Sequence, residues 1–192
     1  KNNISAVIGT EAKKENGEHL QGYGRGLVIE DLDYRYLDTV TEGKSVSNNA
    51  STYAMVSYFG KVNYAFDDKY LISGTVRRDA SSRFGKGNNS AIFPSVSAGW
   101  RVSREKFMEC TQNWLSDLKL RASWGINGND QIDNNATYNL YYTNMSNGSY
   151  NFNGDGTTVL PGVQKDRSGN NDLKWEETKQ LNFGIDAAFF DN

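Results

Sequence analysis

Residues able to do chemistry are sparse in this 192-residue chain, and their spacing favours turns and loops over catalysis. Gly22, Gly24 and Gly26 form a Gly-x-Gly-x-Gly pattern. A phosphate cradle needs a strand before that pattern and a helix after it, and neither is evident, so turn chemistry is expected. Gly85-Lys86-Gly87 lacks the Ser or Thr that follows the lysine of a P-loop. The run Asn127-Gly128-Asn129-Asp130-Gln131-Ile132-Asp133-Asn134 offers the oxygens that calcium takes, but not with EF-hand spacing. It reads as solvated loop, as does Asn153-Gly154-Asp155-Gly156. Cys110 and the only histidine, His19, fall in different predicted links, which gives no nucleophile–base pair. Glu176 and Glu177 are neighbours on an expected strand and so face opposite ways, which suits neither glycosidase geometry. No catalytic residue, metal site or cofactor is expected.

Composition narrows the class. Aromatic residues reach 12%, which argues against disorder. Mean hydropathy is -0.69, and no stretch approaches the roughly 18 apolar residues of a membrane helix. A membrane β-barrel stays open, because its strands alternate and average out polar. The net charge of -2 gives no global attraction for nucleic acid. A single cysteine excludes an internal disulfide framework. No signal peptide is visible, and the chain opens on Lys1 in a strand-like run, so it reads as an excerpt from a longer polypeptide.

The dominant period is two. Between Ser51 and Phe66, one parity carries Val56, Tyr58, Val62, Tyr64 and Phe66, and the other carries Ser57, Lys61 and Asn63. The same division recurs in Tyr70-Ile72-Gly74-Val76, in Val96-Ala98-Trp100-Val102, in Leu118-Leu120-Ala122-Trp124-Ile126, in Leu181-Phe183-Ile185-Ala187-Phe189 and in Ile4-Ala6-Ile8. This predicts six long antiparallel strands joined up and down. Asp67-Asp68-Lys69 is a tight hairpin turn, and residues 104–117 form a compact link with one or two helical turns. Long surface loops are expected at about 14–50, 80–91 and 128–174. Alternation of short turns with long loops is the layout of an outer-membrane barrel.

The apolar face needs either a protein core or hydrocarbon against it. Lys61, Arg77, Arg101, Lys119 and Arg121 all fall mid-strand on the opposite parity. A Lys or Arg facing lipid at the midplane costs about 2–4 kcal/mol, so this segregation is what hydrocarbon would require. Strands of this length exceed those usual in sandwiches. Tyr64, Phe66, Tyr70 and Phe189 cluster beside the short turns, at the level of an aromatic girdle. The fold class expected is all-β: an antiparallel transmembrane barrel segment.

Particular stretches resemble the SusC/RagA-type TonB-dependent outer-membrane transporters. They are Ser57-Tyr58-Phe59-Gly60-Lys61-Val62-Asn63-Tyr64, Thr75-Val76-Arg77-Arg78-Asp79-Ala80-Ser81-Ser82-Arg83-Phe84-Gly85, Phe93-Pro94-Ser95-Val96-Ser97-Ala98-Gly99-Trp100-Arg101, Trp114 through Gly125, Asn127-Gly128-Asn129 and Asn171-Asp172-Leu173-Lys174-Trp175-Glu176. They occur in the family's order over most of residues 55–185. The resemblance implies a barrel of about 22 strands with an N-terminal plug, in a Bacteroidetes outer membrane. It also implies a SusD-like surface lipoprotein as cap, energy relayed by TonB, and import of oligosaccharides or peptides. Plug, TonB-contacting segment and most strands are absent, so residues 1–192 are expected to be a partial barrel with both edges unpaired.

On this reading the five basic residues face the lumen, where they pair with acids of the plug or of neighbouring strands, the default, or line a path for anionic substrate. Tyr138, Tyr141, Tyr142, Tyr150 and Phe152 in the longest loop are candidates for contact with the lipoprotein cap, with glycan, or with each other in a surface hairpin. Outer-membrane lipid is a partner and nucleic acid is not. The alternative is a soluble all-β adhesin or carbohydrate-binding module.

Overall fold

The computed structural model describes residues 1–29, 31–111, 113–144, 151, 154 and 162–190. Eight strands succeed one another: β1 Asn2–Leu27, β2 Val40–Phe66, β3 Tyr70–Ser81, β4 Ser90–Arg101, β5 Leu115–Asn129, β6 Leu140–Asn144, β7 Gly162–Arg167 and β8 Glu176–Phe189. Six form one sheet in the order β1-β2-β3-β4-β5-β8, and β6 and β7 form a separate pair. β1 and β8 are its edges. No helix among the described residues is long and apolar enough to cross a membrane.

The chain divides into two compact units, residues 14–53 and residues 1–13 with 54–192. The smaller unit corrects the sequence reading. Residues 14–50, expected to be loop, are largely strand, with β1 running to Leu27 and β2 beginning at Val40. The hairpin tip holds a 3-10 turn, Leu32–Tyr34, whose first backbone N–H bonds are organised by Asp31 accepting from Asp33 N at 3.2 Å. Thr39 Oγ1 closes the tip by donating to the carbonyls of Tyr36 at 2.8 Å and Tyr34 at 3.2 Å.

In the larger unit the period of two becomes a register. Cross-strand partners place Phe66, Tyr70, Trp100, Leu120 and Ile185 in one row, and Val62, Gly74, Val96, Trp124 and Leu181 in another. The intervening parity gives Asn63, Ser73, Ser97, Ser123 and Asn182. Each row is uniform in chemistry although it draws on five strands. The apolar rows are open: Ile72 is 51% exposed, Val96 48% and Phe183 78%. Among the described residues no second sheet interleaves with them, so the face-to-face sandwich is not the architecture.

Turn chemistry fixes that register. Asp67 and Asp68 both take φ of 54°, and Lys69 N donates to Phe66 O at 2.9 Å. Two consecutive left-handed residues in this three-residue connection match the twist of the strands it joins. The compact link contains two 3-10 segments, Val102–Arg104 and Lys106–Thr111. The β3–β4 loop is shorter than expected, spanning residues 82–89. The longest loop carries the β6–β7 hairpin.

At the long-loop end, β4 and β5 pair only as far as Ser95 and Gly125, although β4 begins at Ser90 and β5 continues to Asn129. An aromatic core occupies that end. Phe84, Phe93 and Trp175 are buried together, with Met55, Ala91, Ile126, Ile132 and Leu173 against them. The Trp175 ring lies 5.4 Å from Phe84 and 5.3 Å from Phe93, and its Nε1 donates to Asn89 O at 3.2 Å. Gly128 lies beneath the Phe93 ring, where any Cβ would overlap it. Trp175→Ala in the full-length protein should cost about 3–5 kcal/mol locally. Hydrogen exchange should show lost protection over residues 84–93 and 126–132, with residues 70–76 unchanged.

Candidate functional site

The polar parity forms a concave trough of about 580 Å³. Its floor is the Asn63-Ser73-Ser97-Ser123-Asn182 row, flanked by Asn3, Ser5, Lys119 and Arg121. The trough is lined by these hydroxyls and amides together with Ala65, Leu71 and Gly99, with cations at one margin.

The structure separates the five basic candidates into two groups. Lys61 stands opposite Thr75, one rung from the Asn63–Ser73 pair. Arg77 lies on the other side of Lys61, between Phe59 and Phe93. Its guanidinium bonds Asp79 at 2.7 Å, Glu11 at 2.9 Å and the fully buried Ser57 hydroxyl at 2.8 Å, and sits 5.6 Å from the centre of the Phe59 ring. Arg101, Lys119 and Arg121 gather nearer the short turns. Arg101 and Lys119 are direct cross-strand neighbours, as are Lys119 and Asp186. Arg121 Nη2 pairs with Asp186 at 3.1 Å, and Arg101 Nε with Asp117 at 3.5 Å. Acids of the same or adjoining strands therefore interleave with the cations. Parity identified the cations; their partners Glu11, Asp117 and Asp186 depend on register and were missed.

The amide-rich run at 127–134, read from sequence as solvated loop in preference to a calcium site, begins inside β5, and several of its polar groups are bound by protein partners. Asp130 accepts from the Ser81 hydroxyl at 2.8 Å and pairs with Arg83 at 3.6 Å. Arg83 also donates to Asn134 Oδ1 at 2.8 Å. Asn129 donates to Glu176 at 2.9 Å. Among the described residues no cluster of three His, Cys, Asp or Glu could hold a metal. In the smaller unit, Gly22 and Gly24 lie beneath Leu37 and Val40, and Gly26 takes φ of 75°. Cys110 is exposed in the compact link.

The loop aromatics are only partly assembled. Tyr141 and Tyr142 lie on β6 opposite Lys165 and Gln164 of β7. Tyr138 precedes the strand, and the register shift between Leu140 and Tyr141 interrupts the alternation that a shared face for Tyr138, Leu140 and Tyr142 would need. Tyr138 and Tyr141 are strongly exposed. Tyr150 and Phe152 lie outside the described residues, as do Asn153, Asp155 and Gly156.

Asp133 ties this hairpin down. Its carboxylate accepts from Asn135 N at 2.9 Å and from Arg167 Nη1 at 3.0 Å, and these bonds hold it below the usual carboxylate range. A depressed carboxylate contributes stability above its unfolded pKa, about 3.9, and loses it as pH falls through the lower folded value. Asp133→Asn should loosen residues 140–144 and 162–167 at pH 7, read by hydrogen exchange. The difference from the unsubstituted protein should shrink as pH falls below the ordinary carboxylate range and the Asp133 carboxylate is protonated.

Comparison with known proteins accounts for both the alternating wall and the long loops. Residues 3–192 match the family described as TonB dependent receptor-like, beta-barrel. The TonB-dependent receptor SusC of Bacteroides thetaiotaomicron is 40% identical over 189 residues, covering 98% of this chain and 18% of SusC. TonB-dependent receptor P3 of Formosa agariphila is 35% identical over 194 residues, with 99% and 18% covered. The solved structure of the RagAB peptide transporter superposes with a TM-score of 0.83 at 33% identity, over 99% of this chain and 20% of that one. The chain thus spans about a fifth of the length of the relatives it matches. A six-stranded sheet with apolar rows on one face, polar rows on the other and two open edges is a sector of their larger barrel, and the chain belongs to the TonB-dependent receptor β-barrel family.

Proposed function

We propose that this chain is a wall and surface-loop sector of an outer-membrane importer of oligosaccharides or peptides, working with a SusD-like lipoprotein and driven through TonB. One observation carries the reading: apolar rows drawn from five strands, most of their side chains exposed, alternate with rows on the opposite face that carry the polar and charged groups and line a trough. Lipid on one side and an aqueous or plug-filled lumen on the other satisfy both sets. The relatives named as TonB-dependent receptors, and the RagAB structure described as a peptide transporter, support the transport class.

Within that importer the sector is passive. Lys61, Arg77, Arg101, Lys119 and Arg121 face the lumen, where local acids hold most of their charge. Tyr138, Tyr141 and Tyr142 serve contact with the lipoprotein cap in preference to substrate. Their hairpin is stapled by Asp133 and presents rings beside Lys165 and Gln164, the mixed aromatic and polar surface of a protein interface. The relatives named as TonB-dependent receptors favour transport over catalysis as the chain's role.

Two measurements test this in the complete transporter. Cysteines at positions 77 and 121 should react with a polar maleimide and not with a lipid-soluble one, and cysteines at 72 and 96 should do the reverse. Inverted labelling would overturn the wall. Tyr141→Ala with Tyr142→Ala should weaken co-purification of the lipoprotein by about tenfold, a loss of about 1.4 kcal/mol. Substrate affinity of the transporter alone should stay unchanged.

A further inference from the structure

The link between β4 and β5, residues 102–114, displays large apolar groups although it is short. Phe107 is 63% exposed and Trp114 48%. Both ends of the link are pinned to the apolar side of the sheet. At one end the Glu105 carboxylate accepts from the Tyr70 hydroxyl at 2.7 Å, from Trp100 Nε1 at 3.2 Å and from Lys69 Nζ at 3.3 Å. Tyr70 and Trp100 belong to the apolar row nearest the short Asp67-Asp68 turn, and Phe66 of that row stacks on Tyr70 at 6.3 Å. At the other end Trp114 stacks on Phe189 at 6.1 Å and 18°, on the parity of Ile185 and Phe183. The 3-10 helix Lys106–Thr111 bridges the two anchors and carries Phe107.

Tyr and Trp at a bilayer boundary ordinarily send their polar tips to headgroups. Here Glu105 accepts the tips of both Tyr70 and Trp100, so the chain itself supplies what a headgroup would. Three donors on one carboxylate also hold Glu105 below its usual range, which keeps the acceptor charged at neutral pH. Arg104, tied to Asp68 at 3.2 Å, and Lys106 place cations beside the exposed rings. Exposed aromatics flanked by basic residues are the composition of a segment lying in the membrane interface.

We propose that residues 102–114 form an interfacial clamp lying along the lipid side of the wall at the short-turn end. Phe107 and Trp114 meet the boundary between phospholipid headgroups and acyl chains. The occupant of this surface is phospholipid, because the stack of Trp114 on Phe189 and the bonds of Glu105 to Tyr70 and Trp100 join the link to the apolar side of the wall. Glu105 is a positioning residue that holds the clamp against the girdle. The inference rests on the wall reading above and goes one step beyond it.

The test uses the complete transporter in phosphatidylcholine nanodiscs, with its remaining cysteines replaced. An environment-sensitive bimane is placed in separate samples at Phe107→Cys, at the native Cys110, and at the mid-wall controls Ile72→Cys and Val96→Cys. Nitroxide-bearing lipids quench from the membrane and iodide quenches from water. The clamp predicts that bimane at 107 loses most of its emission to a shallow nitroxide, is protected from iodide, and shifts to the blue. Bimane at Cys110 should be quenched by a nitroxide at headgroup level. Adding Glu105→Ala should move the label at 107 toward iodide, whereas Glu105→Gln, which still accepts, should largely preserve the lipid signal. Iodide quenching at 107 and 110 with lipid quenching at 72 and 96 would overturn the clamp and leave the wall intact. Iodide quenching at all four positions would overturn both.

Discussion

A wall one sheet thick has no interior, so every strand must serve two solvents at once. Hydrocarbon offers nothing to a backbone N–H or C=O, which forces edge-to-edge pairing along the whole strand. Pairing then ties side-chain direction to register, and a slip of one residue exchanges the two faces completely. In this chain a slip of β5 would carry Lys119 and Arg121 to the side of Leu120 and Trp124. At about 2–4 kcal/mol for each cation near the midplane, that alternative is excluded before any packing detail matters. The Asp67-Asp68 turn and the compact 102–114 link set the β2–β3 and β4–β5 registers from the other direction. Local turn chemistry and global solvent partition therefore demand the same arrangement, the consistency expected of a foldable sequence.

The same constraint explains what sequence could and could not reveal. Strands of the six-stranded sheet from Ala54 onward were legible because each has one apolar parity, and the tight turn because two aspartates can adopt left-handed backbone. Residues 14–50 were misread because strands exposed on both sides have no reason to alternate. Gly17, Gly22, Gly24, Asn48 and Asn49 give that segment the composition of a loop, yet it forms a hairpin whose glycines receive side chains such as Leu37 and Val40 from within the same unit. Lumen candidates could be read from parity. Their partners could not, because Arg77–Glu11 joins β1 to β3 and Arg121–Asp186 joins β5 to β8. Glu105 gave no signal at all: it is one carboxylate in a link, and its meaning comes from three donors that lie far away in sequence or at the end of another strand.

The long-loop end solves a different problem. Where β4 and β5 stop pairing, backbone and side chains lose the wall as their support, and Phe84, Phe93 and Trp175 replace the missing ladder with a buried core. The polar shell beside it, Ser81, Arg83, Asp130 and Asn134, spends on structure the oxygens that composition alone would have offered to a cation. Loops that present a binding surface need such a rigid base. Here the base is drawn from the β3–β4 loop, β4, and both flanks of the longest loop, so the hairpin carrying Tyr141 and Tyr142 emerges from an anchored stem.

Glycine placement on the polar face bears on how that face is used. Gly184 lies under Arg121, whose Nε would be 2.6 Å from a Cβ there, and Gly99 lies under Lys119, whose Cε would be at 3.3 Å. Absence of side chains at these two points lets both long cations lie along the sheet. Their charge stays near Asp186 while the trough above the Ser and Asn row keeps its volume. Upright cations would fill that space and present bare charge to whatever enters. Laid flat, they leave a broad surface of hydroxyls and amides with a fixed, largely neutralised margin. Such a surface offers many weak hydrogen bonds while its strong charges are already engaged with one another along the sheet.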